Sequence, residues 1–71
     1  MSIVSSTYTV GHEQRDGTRK VRETHIDSEG RAHLRMYWAP PSTDYDAVLA
    51  ERAAALSVEL AEREIKDLLG G

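Results

Sequence analysis

Seventy-one residues, 39% of them hydrophobic, with no Phe and no Cys, describe one small domain (1–71) near the length where a single core is marginally sufficient. Without Cys, neither disulfides nor a thiolate metal site can reinforce the fold, and oligomerisation is the remaining common route to stability. The net charge of −3 is too low for a general nucleic-acid binder, and it is uneven: residues 13–35 are nearly balanced, while residues 44–67 carry seven acids against three bases.

The opening Met1-Ser2-Ile3-Val4 has no basic or apolar signal-peptide pattern. No apolar run approaches a membrane span, so a cytoplasmic protein without a membrane partner is the expectation. Two turn signals then divide the front half. Arg15-Asp16-Gly17 and Ser28-Glu29-Gly30 each end in Gly, as three-residue hairpin loops with a G1 bulge prefer. The spacing predicts strands over Ile3–Gln14, Thr18–Asp27 and Arg31–Ala39, a meander spanning about residues 3–39.

Counting outward from the second loop sets His25 opposite His33, Glu23 opposite Arg35 and Val21 opposite Tyr37. On the other face Ile26 meets Ala32, Thr24 meets Leu34 and Arg22 meets Met36. Counting back from the first loop sets Ser6, Tyr8 and Val10 beside Ile26, Thr24 and Arg22. One face then collects Val4, Tyr8, Val10, Ile26, Ala32, Leu34, Met36 and Trp38 and is expected to form the core, with Lys20 and Arg22 snorkelling from its margin.

Pro40-Pro41 stops the third strand, and Ser42, Thr43 and Asp44 offer N-cap oxygens for a helix over residues 44–69. The fold class is therefore α+β, a three-stranded antiparallel meander followed by one helix (β-β-β-α). At 100° per residue, Tyr45, Leu49, Leu56 and Leu60, joined by Val48 and Ala53, form a stripe suited to the sheet. A second apolar line runs through Ala50, Ala54, Val58, Ala61, Ile65 and Leu68 in steps compatible with a helix–helix seam. Alanine alone would fit a solvated face of good helix formers; Val58, Ile65 and Leu68 favour a partner, a second copy of the chain or another protein of the same assembly.

Chemistry has little purchase on this sequence. His12, His25 and His33 are the only nitrogen ligands available to a metal, and His12 falls on the opposite face from the other two. No nucleophile elbow surrounds Ser5-Ser6 or Ser57, and Gly11, Gly17 and Gly30 make no phosphate loop. The expectation is a non-enzymatic protein with no catalytic residues, cofactor, metal or small-molecule partner. An alternative is a nucleic-acid face made by Arg19, Arg31 and Arg35 on the polar side of the sheet, although Glu23, Asp27 and Glu29 oppose a phosphate backbone. In topology this resembles the DNA-binding domains of some phage integrases and plant GCC-box factors, whose sheet enters the major groove. A third reading is a small regulator that adds the edge strand Ile3–Val10 to a host protein.

The layout from Val21-Arg22-Glu23-Thr24-His25 through Trp38-Ala39-Pro40-Pro41 to the Ala- and Glu-rich helix ending Ile65-Lys66-Asp67-Leu68-Leu69 resembles small proteins of tailed phages and prophages encoded among tail or baseplate structural genes. The resemblance covers roughly residues 20–69 and implies a structural protein of tail or virion assembly, working by protein–protein interaction as a homo-oligomer in the host cytoplasm or the virion.

Overall fold

The computed structural model describes residues 2–69. It is a β-meander, β1 (Ile3–Glu13), β2 (Arg19–Asp27) and β3 (Ala32–Ala39), followed by one helix, α1 (Tyr45–Leu68). The strands lie antiparallel in the order β1-β2-β3, and α1 packs on one face, closest to β1.

Both hairpin loops form as their glycines demand. Gly17 and Gly30 have φ of 86° and 82°, a left-handed conformation that a side chain would strain. Gly17 N donates to Gln14 O, and Gly30 N donates to Asp27 O, each at 3.0 Å. Asp16 braces the first loop by accepting from Thr18 N and Thr18 Oγ1 at 3.0 and 2.7 Å. These hydrogen bonds hold the Asp16 carboxyl below its ordinary pKa.

The β2–β3 register is the expected one, with His25 opposite His33, Glu23 opposite Arg35 and Val21 opposite Tyr37. The β1–β2 register is not. Glu13 pairs with Arg19 as expected, but two residues of β1, Gly11 and His12, then stand against the single Lys20. Beyond this bulge the pairings from Val10 to Ser5 are shifted by one: Val10 faces Val21, Tyr8 faces Glu23 and Ser6 faces His25. Because strand side chains alternate, the slip carries Ser6, Tyr8 and Val10 to the other side of the sheet. Gly11 suits the bulge, since a Cβ there would lie only 3.3 Å from Lys20 O. A second irregularity between Ile3 and Ser5 leaves Val4 exposed.

The helix also lies on the opposite face from the one expected to form the core. Its expected stripe does face the sheet, with Leu56 and Leu60 buried and Tyr45, Val48, Leu49 and Ala53 half-buried. Beneath it lie Val21, Glu23, His25, Asp27 and Ala39, all buried. Leu34, Met36 and Trp38, expected in the core, remain 68%, 57% and 54% exposed on the uncovered side. Lys20 and Arg22 accordingly stand on an open face and have no apolar core to escape.

Asp44 is the N-cap, its carboxylate accepting from Ala47 N at 3.2 Å, with Asp46 in the first turn and Lys66 in the last. Thr43 instead closes the preceding turn, with its N and Oγ1 both donating to Pro40 O. The radius of gyration is 14.5 Å, against about 11 Å for a typical domain of this length. The elongation, 50 × 18 × 17 Å, follows from laying one long helix along one narrow sheet. Two layers bury one face of each and leave the other face of each open.

Candidate interaction surfaces

Three features compete for a functional role: the polar layer between sheet and helix, the outer side of α1, and the outer side of the sheet. The polar layer follows from strand alternation, which directs Glu23, His25 and Asp27 from β2 beneath the helix. Glu23 Oε1 lies 3.0 Å from His25 Nε2 and 2.7 Å from Arg52 Nε. The Arg52 N–H is not aligned on that oxygen, so the contact is an ion pair without a well-formed hydrogen bond. The guanidinium also sits over the Tyr37 ring, 5.2 Å from its centroid. On the other side of His25, Nδ1 is 2.7 Å from Ser6 Oγ. One tautomer satisfies both ring nitrogens, Nε2–H donating to Glu23 and Nδ1 accepting from the Ser6 hydroxyl.

A second cluster extends from Asp27. Its Oδ2 accepts from His33 Nε2 at 2.8 Å, while Oδ1 accepts from Glu29 N and Arg31 N at 2.9 and 3.0 Å. The His33 hydrogen bond, with those of the Arg31 and Glu29 amides, holds the Asp27 carboxyl below its ordinary pKa despite burial. Nearby, burial and the Glu23 charge raise the Tyr37 phenol. At the edge of the helix, Tyr8 donates to Asp46 at 3.0 Å, a bond that raises its own pKa, and its ring lies 5.8 Å from that of Tyr45.

The Ser6–His25–Glu23 chain has the residue types of a nucleophile relay, but its His and Glu are wholly enclosed beneath α1. A substrate has no approach to the imidazole, so the chain orders the interface. His25 and His33 stand opposite one another yet bind different acids, and the partner expected for Glu23, Arg35, is replaced by Arg52 from the helix. Arg35 instead donates to Leu34 O at 2.8 Å. Among the described residues no group of three His, Cys, Asp or Glu is arranged to hold a metal.

Arg19, Arg31 and Arg35, the alternative nucleic-acid residues, do not form one open face. Their side of the sheet is the side that the helix covers. Arg19 lies 4.0 Å from Glu13, and Arg31 lies 3.8 Å from Glu29 beyond the start of β3. No helix of the described residues is long and apolar enough to cross a membrane.

The outer side of α1 presents the whole expected seam. Ala50, Ala54 and Ala61 are exposed, Val58 and Ile65 each keep 57% of their surface, and Leu68 keeps 86%. Helical geometry places Glu51 and Glu62 beside this line and Arg52, Glu59, Arg63, Lys66 and Asp67 on the other half, while Asp46 reaches Tyr8 and Glu64 lines a pocket with Asp27 and His33. The outer side of the sheet, which the sequence reading placed in the core, is a groove of about 430 Å³ floored by Thr7, Thr9, Thr24, Arg22, Leu34 and Met36. A signal for this outcome was present in the sequence: Arg52 interrupts the apolar stripe of the helix, and a buried arginine requires an acid opposite. Comparison with protein-family models, curated proteins and solved structures finds no match.

Proposed function

We propose that this protein is a non-enzymatic structural module that self-associates through the outer side of its C-terminal helix. The observation that supports this reading is the exposed line of Val58, Ile65 and Leu68, backed by Ala50, Ala54 and Ala61, on a helix whose other side already packs on the sheet. A helix serving only its own domain needs a single apolar stripe. The resemblance to small tail and baseplate-region proteins of phages and prophages fits this reading and implies a role in virion or tail assembly, with another protein of that assembly as the partner if not a second copy.

The test is the molar mass of the wild type measured by light scattering across concentration, beside Ile65→Glu. The variant is expected to shift toward one chain per particle while its circular dichroism stays unchanged. A wild type that remains a single chain at high micromolar concentration refutes self-association.

A further inference from the structure

The outer face of the sheet has a composition that the folded monomer does not use. Ile26, Leu34, Met36 and Trp38 supply its apolar surface, and Lys20 and Arg22 its charges. No carboxylate shares those alternating positions of β2 and β3. The outer half of α1 is the electrostatic complement: an apolar line flanked by Glu51 and Glu62, with no Lys or Arg.

Shape agrees with charge. On β1 and the middle of β2 the face is low, made of Thr7, Thr9 and Thr24, and it rises to Leu34 and Met36 on β3, giving the groove of about 430 Å³. The helix that would enter it has small residues, Ala50, Ala54 and Ala61, along its approach line, with Val58 and Ile65 projecting. Lengths agree as well: the 24-residue helix is about 36 Å long. The strands, of 8 to 11 residues, run about 27–37 Å.

The geometry points to a second copy of this chain as the occupant, its helix lying in the outer groove of the sheet. This rests on the self-association proposed above and adds where the helix docks. Symmetric alternatives are opposed by charge. Two sheets face to face would bring Lys20 and Arg22 of both copies together, and two helices would do the same with Glu51 and Glu62. Sheet groove and helix seam lie on opposite sides of the two-layer domain, so one copy cannot give and receive through the same contact. Each copy holds one neighbour with its sheet and another with its helix, and the assembly is a head-to-tail ring or filament of alternating sheet and helix layers.

The experiment blocks each surface separately. Met36→Glu places an acid in the groove beside Arg22, its cross-strand partner, and Val58→Arg places a base in the helix seam. Both residues are more than half exposed in the single chain, so circular dichroism is expected to match wild type. If Met36→Glu does not fold, Arg22→Glu blocks the same groove. Each variant alone is expected to be a single chain by light scattering. Mixed in equal amounts they are expected to form a complex of two chains and no larger, because one intact groove and one intact seam remain. Added salt weakens this complex, since opposite charges meet in it.

A groove variant that assembles like wild type, beside a seam variant that does not, overturns the groove as the docking site while leaving helix-mediated association standing. Failure of the mixture to pair overturns it likewise. A wild type that is a single chain at every concentration refutes the self-association reading itself and this inference with it.

Discussion

The two faces of this sheet invert the usual assignment. The side covered by the helix carries Glu23, His25 and Asp27, each nearly inaccessible, while the open side carries Leu34, Met36 and Trp38, each more than half exposed. Single apolar residues at a surface are ordinary, but here a row of them along one strand borders a groove that the single chain leaves open. Buried acids, in turn, add little net stability over apolar residues of the same shape, and their removal one at a time is destabilising. Glu23 Oε2 and the Tyr37 hydroxyl, both buried without a hydrogen-bond partner, weaken the inner layer further. The comparison suggests a division of labour. The inner face fixes where the helix docks through specific ionic partners, and the outer face leaves apolar surface open, the surface to which the proposal above assigns a second copy.

The comparison is tested most strongly at Arg52. Arg52→Met is expected to leave Glu23 buried without its cation and to destabilise the fold by about 3 kcal/mol, read as a lowered urea midpoint. Replacing both partners, Glu23→Leu with Arg52→Met, is expected to recover most of that loss. If the single variant is as stable as wild type, the ionic contact does not position the helix.

Acid gives the next effect. The folded pKa of Asp27 is depressed, so the stability that it contributes is fully present above the unfolded value of about 3.9 and is lost as pH falls through the folded value. Asp27→Asn keeps an oxygen for the Glu29 and Arg31 amides and is expected to flatten the decline of stability below about pH 4. The measurement is a series of urea unfolding curves across that range. An unchanged slope would mean that another carboxylate sets the acid limit.

The smallest expected effect is on the outer face. Leu34→Thr, measured on dilute protein, is expected to alter stability by less than about 0.5 kcal/mol, because the side chain lies outside the monomer's packing. A large loss would show that this face belongs to the core after all.

Much of the fold was legible because it is local. Gly17 and Gly30 marked the loops, Pro40-Pro41 ended the third strand, and an oxygen acceptor before Tyr45 capped the helix, all within a residue or so of the observed boundaries. The β2–β3 register followed from a loop of known length. The β1 register did not, because the bulge at Gly11-His12 adds one residue to a count that assumes none. That slip moved Tyr8 and Val10 to the inner face and removed the apparent majority of apolar residues that made the outer face look like the core. The members of the helix seam were legible from periodicity, whereas the groove was hidden because its residues read as interior.

By itself the sequence determined the order of elements, the two stripes of the helix and the pairing of β2 with β3, since each depends on turn chemistry or on periodicity within a few residues. Which side of the sheet the helix covers was decided only in three dimensions. Both faces hold enough apolar surface to pack a helix, so hydrophobic patterning leaves the choice nearly balanced. The balance is tipped by contacts between residues far apart in the chain: Arg52 with Glu23 and Tyr37, Ser6 with His25, and Ser57 Oγ with the amide of Ile3. Such pairs leave no period in the sequence, because they exist only once the strands have closed and the helix has come down upon them.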